Sequence, residues 1–359
     1  MKTPVSLAIT VCSLLHVNVI SAHHSFATHY DYDREITVTG VVTDIRLANP
    51  HSFFEVDVTV VDGSIETWEI EGNSIPLLAR AGITAETFRL GETVTVTGML
   101  SRDPDRTLIF GMLAEKPNGE SYNLIRPDWD RPAPSITLVR GASQSSGIRD
   151  FAGIWLRVIR DGEMLNKSGD SPLPLNEKGI AARDAYNPLE SQYKDCLPLD
   201  MPSLLTVPYP MEFRVTDDRV DVYHEYNAVL RQFVTDGMPR PSHETDQYGV
   251  SSARVAGNEM TVVTDMFLPS SAGLGADFDS WGKGANVPSS RHKRLTETYR
   301  LLNDGTILEL SLTLEDPEFL SDPFNTTMIW ARQPEGTEIY DFDCDVDIAR
   351  RSTGNAVMD

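Results

Sequence analysis

The chain is poor in cysteine and in positive charge. Three of its 359 residues are Cys, and 31 Lys and Arg stand against 53 Asp and Glu, which gives a formal net charge of -22. Nucleic-acid phosphates require a basic surface, so this balance argues against a nucleic-acid partner. It also argues against docking on anionic membranes. We interpret the acidic charge as a means of keeping the protein soluble.

Signatures of several common enzyme classes are also missing. The sequence contains no Gly-x-Ser-x-Gly elbow, no phosphate-binding Gly-rich loop and no His-Glu-x-x-His. Its apolar pattern does not alternate between strands and helices, which argues against a nucleotide-binding α/β fold. After residue 22, no apolar run is long enough to cross a bilayer as a helix.

The apolar run at the start of the chain predicts a secretory signal peptide over residues 1–22. Lys2 supplies a positive charge, and Ala22 is a small residue of the kind that signal peptidases accept. We therefore expect an exported protein, periplasmic or secreted, whose mature chain begins at His23. Cleavage after Ala27 is an alternative, and it would remove His23 and His24.

The sequence after residue 22 predicts two all-β domains. Residues 23–116 contain five short alternating strands with a helix over 74–81 between the third and the fourth, the layout of an OB-like five-stranded β-barrel. Ser74 is expected to cap that helix. Residues 117–150 are rich in Pro, Gly and Ser, which predicts a linker.

Residues 151–359 predict an antiparallel β-barrel or cup. Gly153-Ile154-Trp155 opens this domain, and nine strands are predicted between Met211 and Cys344, the last over 339–344. Short turns join most of them, which favours a meander that closes on itself. Longer loops over 236–249 and 268–290 are expected to form the mouth, with 277–284 as a flexible rim.

Cys196 and Cys344 remain as a pair once the predicted signal peptide is set aside. An even pair in an exported protein favours a disulfide, and two free thiols are the alternative. A bridge would close a loop of roughly 150 residues, which the chain-entropy model values at up to about 4–5 kcal/mol.

Several short segments of the N-terminal domain stand out together: His-His-Ser-Phe-Ala at 23–27, Tyr30-Asp31, Asn49-Pro50-His51, Trp68-Glu69-Ile70-Glu71 and Gly98. In these segments the chain resembles a family of exported bacterial proteins of unknown function. Some members carry a lipocalin-like second domain with a Gly-x-Trp opening and paired late cysteines, a pattern that residues 153–155, Cys196 and Cys344 match. The resemblance implies export and a lipocalin-like C-terminal barrel, and it implies no reaction.

Histidines cluster at the start of the predicted mature chain. His23, His24, His29 and His51 fall within its first thirty residues. Imidazole nitrogens and a free α-amine suit Cu(II) or Zn(II), so His23, His24 and His51 form a candidate metal site, with His29 as a further candidate. The alternative is a solvated tail, in which His51 is a turn residue after Pro50.

Strand alternation predicts a polar trio inside the C-terminal barrel: His224, Arg231 and Glu297. These side chains would orient the polar end of a ligand. Two alternatives stay open: an Arg231–Glu297 ion pair beside a core histidine with no ligand, or acid–base catalysis by His224 and Glu297 assisted by Arg231. The predicted walls of the ligand site are Trp155, Tyr226, Phe233 and Tyr299.

The leading functional hypothesis is an exported binding protein that holds an apolar or amphipathic small molecule in the C-terminal cup. The second is a protein that binds or delivers copper or zinc through its N-terminal histidines. The third is a cofactor-free lyase, isomerase or hydrolase that uses His224 and Glu297.

Overall fold

A computed structural model describes residues 29–125, 137–139, 147–159, 171–187, 190–216, 219–235 and 246–354. The predicted signal peptide, His23 and His24 lie outside these residues. Within them the protein is all-β, with two barrels and three short helices. None of those helices is long and apolar enough to cross a membrane.

The N-terminal barrel has the strand order expected of an OB-type fold. Its sheet runs in the order β3-β2-β1-β4-β5-β6, and a parallel pairing of β3 with β5 closes the first five strands. Helix α1 (Ile75–Arg80) lies between β3 and β4, which confirms the predicted layout. The strands are β1 (Tyr30–Arg46), β2 (Phe53–Thr59), β3 (Ile65–Glu71), β4 (Thr93–Ser101), β5 (Leu108–Glu115) and β6 (Ser121–Asn123).

Two features of this barrel differ in detail from the prediction. Ser74 precedes α1, but its side chain makes no capping hydrogen bond, because its hydroxyl pairs with the Tyr209 hydroxyl at 2.7 Å. β6 extends the N-terminal sheet, and Leu124 and Ile125 after it are buried, so residues 121–125 of the predicted linker pack with this barrel.

Gly98 is required at its position, because a Cβ there would collide with the Phe110 carbonyl oxygen.

The C-terminal barrel closes in the order β10-β11-β12-β15-β16-β17-β7-β8-β9. This arrangement confirms the predicted all-β class and the closed barrel. β13 and β14 pair with each other outside it. The strands are β7 (Gly153–Arg157), β8 (Met211–Val215), β9 (Arg219–His224), β10 (Val229–Thr235), β11 (Val250–Ala256), β12 (Glu259–Asp265), β13 (Ser270–Gly275), β14 (Val287–Ser289), β15 (Arg294–Leu302), β16 (Ile307–Glu315) and β17 (Phe324–Arg332).

The predicted strand over 339–344 is wrong. Within that segment Cys344 alone forms a bridge, to Asn49 of the N-terminal barrel. The ninth barrel strand is β7, which pairs with both β17 and β8. The pairing is also not antiparallel throughout, because β10 and β11 are parallel. The long connection between them allows this, since parallel neighbours need a crossover of a dozen or more residues.

The second predicted mouth loop is packed rather than flexible. Residues 268–290 contain the β13–β14 hairpin, and Asp277, Asp279 and Trp281 are all buried. Asp279 accepts hydrogen bonds from the Ser203 hydroxyl and from the backbone N–H groups of Trp281 and Gly282. The glycines that suggested a mobile rim permit close packing here, since a Cβ on Gly282 would collide with backbone atoms.

Short helices and one disulfide complete the C-terminal domain. Helix α2 spans Glu177–Asp184 and α3 spans Val346–Gly354. Cys196 and Cys344 are bonded, which confirms the predicted disulfide. The 3-10 turns span Ile148–Phe151, Gln192–Asp195, Ser203–Leu205, Tyr226–Ala228 and Asn303–Gly305.

Candidate functional site

A buried carboxylate holds a histidine at the edge of the N-terminal barrel. His51 lies in the loop between β1 and β2, and its Nδ1 is 3.0 Å from Oε1 of Glu71. Glu71 ends β3 and is 2% exposed. The Tyr30 hydroxyl donates a hydrogen bond to the other oxygen of the same carboxylate. Three separate parts of the barrel therefore meet at Glu71.

The sheet register explains why these residues meet. β2 and β3 pair with Phe53 opposite Glu71, so the loop that carries His51 lies beside the end of β3. Tyr30 begins β1 opposite Ser101 of β4, and its buried ring packs 5.5 Å from that of Phe110. Tyr30 and the loop that carries His51 thus cover Glu71 on the outer face of β3.

The electrostatics of the cluster keep Glu71 ionised at neutral pH. Burial alone would raise the pKa of Glu71, but the charge of His51, hydrogen bonds from His51 and Tyr30, and the charge of His29 together lower it. An ionised oxygen beside Nδ1 favours a proton on that nitrogen rather than on Nε2 of His51. In the neutral ring the lone pair is then on Nε2, the arrangement found in carboxylate-oriented metal ligands and bases.

Access to His51 is partial. Its side chain is 18% exposed while Nδ1 itself is buried, so the accessible part of the ring lies away from Glu71. The His29 ring lies 6.4 Å from that of Tyr30, on the same side of the barrel. No group of three or more His, Cys, Asp or Glu in the described part of the chain is arranged to hold a metal ion. His23 and His24 lie outside that part.

Sequence reasoning missed the roles of Glu71 and Tyr30. The available signal was alternation in Trp68-Glu69-Ile70-Glu71, which places both glutamates on the face opposite the buried Ile70. Alternation does not show what covers that face. The contact of Tyr30 and His51 with Glu71 depends on tertiary structure.

The polar trio of the C-terminal barrel is buried together in its interior. Arg231 donates from Nη1 and Nη2 to the two oxygens of Glu297 at 3.0 and 2.6 Å. The Tyr299 hydroxyl donates to Oε1 of Glu297 at 2.7 Å. Both carboxylate oxygens are therefore engaged, in the bidentate geometry typical of strong ion pairs. This is the ion pair that the sequence left open as an alternative to a ligand.

His224 lies beside this pair and is neutral at physiological pH. Burial, and then the charge of Arg231, lower its pKa to about 3. Its Nε2 has no hydrogen-bond partner among the residues that the structure describes, and the same holds for Nε of Arg231 and the Tyr248 hydroxyl. Burial raises the pKa of Tyr248, and the charge of Arg231 partly offsets that rise.

The predicted ligand walls are part of the packed core, with one correction. Trp155, Phe233 and Tyr299 are fully buried. Tyr226 does not continue the inner face of β9, because that strand ends at His224. It lies in a 3-10 turn, where its ring packs 4.9 Å from Tyr209 and 4.6 Å from Phe342.

Comparison with known proteins concerns the N-terminal barrel. No curated protein matches the sequence of this chain. Residues 13–110 match a family described as a family of unknown function, DUF6152. The matched segment includes Tyr30, His51 and Glu71 and ends before the C-terminal barrel. The N-terminal segment of this chain is thus similar to DUF6152, a family whose function is unknown.

Proposed function

We propose that the N-terminal barrel binds a transition-metal ion, Cu(II) or Zn(II), through Nε2 of His51. The observation that carries the proposal is the contact between Nδ1 of His51 and the buried, ionised Glu71. Metal-binding histidines almost always donate their second ring N–H to such a group, which fixes the ring and increases the basicity of the ligating nitrogen.

The remaining ligands are proposed from the N-terminal histidines. His29 is near enough to Glu71 for its charge to lower the pKa of that carboxyl. His24 and His23 precede His29 by five and six residues, and an extended chain covers about 3.3–3.6 Å per residue. Their imidazoles and the α-amine of a chain that starts at His23 are therefore on a tether long enough to reach the cluster. Such nitrogen donors suit both metals.

Metal analysis of single variants tests this proposal. We expect the exported protein to retain about one metal equivalent, His51→Ala to lose it, and Glu71→Gln to bind about 10–100-fold more weakly. The matched control is His292→Ala, which removes an exposed histidine of the C-terminal domain and should leave binding unchanged. Unchanged affinity in His51→Ala would refute the proposal.

Binding of an apolar or amphipathic molecule in the C-terminal barrel is a second candidate. It is supported by the unpartnered atoms of His224, Arg231 and Tyr248. Leaving such a buried group unsatisfied costs about 1–3 kcal/mol, and a polar group of a ligand would relieve that cost. Organic extraction and mass spectrometry of the purified protein test it. Extracts without lipid or pigment, and a melting temperature unchanged by a lipid panel, would count against it.

Export and catalysis stay predictions. Export to the periplasm is supported by the pattern of residues 1–22 and by the Cys196–Cys344 disulfide, since disulfides persist in oxidising compartments. Catalysis by Glu297 would require a carboxylate free to exchange protons, whereas its two oxygens accept hydrogen bonds from Arg231 and Tyr299.

A further inference from the structure

Residues 338–351, which we call the strap, follow the last strand of the C-terminal barrel and cross to the N-terminal barrel. The Asp345 N–H donates to the Asn49 carbonyl at 2.8 Å, and Asn49 Nδ2 donates to the Asp343 carbonyl at 3.3 Å. In helix α3, which ends the strap, the buried Ile348 packs against the same barrel. The strap is therefore bound to the N-terminal barrel by hydrogen bonds and by apolar packing.

A disulfide ties the middle of the strap to a turn of the C-terminal domain. Cys344 lies between the two strap residues that contact Asn49, and it is bonded to Cys196. Cys196 follows the 3-10 turn over Gln192–Asp195. Its φ of 58° lies in the left-handed region, which is disfavoured for residues other than glycine. The cross-link therefore joins the strap to a turn that ends in a disfavoured backbone conformation.

The same turn is attached to residues 268–290, which we call the cover. The Ser271 hydroxyl donates to Oε1 of Gln192 at 2.9 Å. The ring of Tyr193 packs edge-on against that of Phe278, with the ring centres 5.7 Å apart. A polar and an aromatic contact thus connect the turn to the cover, and through the disulfide to the strap.

The cover closes one end of the C-terminal barrel. It joins the end of β12 to the start of β15, and because these neighbours are antiparallel, both ends of the cover lie at the same end of the barrel. Three cover residues are buried in the same apolar cluster as Leu295 and Leu314 of the barrel strands: Leu274, Trp281 and Val287. A chain of contacts therefore runs from the N-terminal barrel, through the strap and the disulfide, to the cover.

We propose that the Cys196–Cys344 disulfide is a redox latch that keeps the cover closed on the C-terminal barrel, and that a dithiol opens it. Both cysteines are half-buried rather than enclosed. Reduction transfers two electrons and two protons to the two sulfurs, which become thiols, while the dithiol becomes a disulfide. Noncovalent contacts such as the exposed Arg350–Asp195 ion pair then remain between strap and turn, and exposed pairs contribute little. The inference depends on neither proposed ligand.

Hydrogen exchange of the full chain tests the inference. The compared proteins are oxidised wild type, wild type reduced with dithiothreitol, Cys196→Ser combined with Cys344→Ser, and Arg350→Met, the matched control that removes the adjacent ion pair and keeps the disulfide. The reporters are the Asp345 amide in the strap and the Gly282 amide in the cover, both hydrogen-bonded. We expect both to exchange about tenfold or more faster without the disulfide. Arg350→Met should match wild type, and reoxidation should restore slow exchange.

Gln192→Ala tests the connection between the turn and the cover. It keeps the disulfide and removes the hydrogen bond from Ser271, so the Gly282 amide should exchange faster while the Asp345 amide keeps its wild-type rate. An unchanged Gly282 rate in this variant would show that the turn does not hold the cover, and would overturn the inference.

The paired strands β15 and β16 supply the reference for global unfolding. Their amides should exchange at the same rate with and without the disulfide. Faster exchange there as well would make the disulfide a structural cross-link of the whole fold rather than a latch, which would overturn the inference. Unchanged exchange of either the strap or the cover after reduction would overturn it too.

Discussion

The two barrels keep their charged clusters in opposite places. The interior of the N-terminal barrel is apolar, and its Glu71 cluster lies outside, under Tyr30 and the loop of His51. The C-terminal barrel carries its Arg231–Glu297 pair inside, among fully buried aromatic rings. The charges of a fully buried pair need each other as partners, because burying a charge without a partner is costly. At the edge of the N-terminal barrel, the buried Glu71 faces His51, which is partly exposed.

This difference decides which of the two buried carboxylates orients a neighbouring histidine. Glu297 uses both oxygens on Arg231 and Tyr299, so the pair is closed. Glu71 instead faces Nδ1 of His51, whose side chain is 18% exposed. The same residue type therefore serves as a structural counter-ion in one barrel and as an orienting group in the other.

The largest expected effect comes from opening the closed pair of the C-terminal barrel. Arg231→Met or Glu297→Gln leaves a buried polar group without its counter-charge, which typically costs about 3–5 kcal/mol. The double variant Arg231→Met, Glu297→Leu should recover much of that loss, because it buries no charge. Urea denaturation of the four proteins measures the difference. Single variants that unfold within about 1 kcal/mol of wild type would show that the pair is not closed as described.

Protonation of His224 should weaken the C-terminal barrel at a higher pH than protonation of Glu71 weakens the N-terminal barrel. The folded pKa of His224 is lowered to about 3 from an ordinary value of 6.5. The unfolded chain therefore takes up the proton first, and this contribution to stability falls by about 1.4 kcal/mol per pH unit below pH 6.5. The measurement is the pH dependence of the difference in unfolding free energy between wild type and His224→Gln.

The subtraction isolates His224 from an opposing group. Burial raises the pKa of Asp277 to about 7, so its protonation stabilises the folded state as the pH falls. That contribution is present in both proteins and cancels. A difference curve that is flat between pH 6.5 and pH 4 would contradict the neutral, buried His224.

Glu71 should confer a smaller acid sensitivity on the N-terminal barrel, at lower pH. Its folded pKa lies below the ordinary value of 4.5, so its contribution is complete above that pH and is lost as the pH falls through the lowered folded pKa. At neutral pH Glu71→Gln should cost about 1.5–3 kcal/mol, the range for hydrogen bonds to charged groups. Tyrosine fluorescence and circular dichroism during acid unfolding measure it, and an unchanged acid midpoint in the variant would refute this account.

The smallest effect is expected at an exposed pair. Arg214 pairs with Glu212 at 2.6 Å on the surface of the C-terminal barrel. Solvent and salt screen such pairs, so Arg214→Ala should change stability by less than about 1 kcal/mol. Thermal unfolding at low and at 0.5 M salt checks it, as a baseline for the buried clusters. A loss of stability as large as that of Arg231→Met would contradict the predicted difference between the buried and the exposed ion pair.

The sequence predicted the N-terminal barrel well because its strands alternate and its turns carry strong signals. Asp62-Gly63 marks the β2–β3 turn, and Gly82 follows α1 with a positive φ. The segment over 339–344 was misread because apolar and polar residues also alternate there. Periodicity describes one segment and does not show which partner it finds, so it did not reveal that this segment leaves the barrel for Asn49.

The candidate site was only partly predictable for the same reason. The clustering of histidines singled out His51, and strand alternation placed His224, Arg231 and Glu297 together inside the barrel. Glu71 at the end of β3 faces His51, and Tyr30 at the start of β1 donates a hydrogen bond to Glu71. Such contacts over long sequence separations depend on sheet closure and register, which local patterns do not specify.

Intact mass combined with metal analysis, on protein exported by a secreting host, tests the central claim most directly. The account predicts a chain that starts at His23 and carries about one equivalent of copper or zinc, which His51→Ala loses. A chain that starts at Thr28, or one that starts at His23 and retains neither metal, would contradict it.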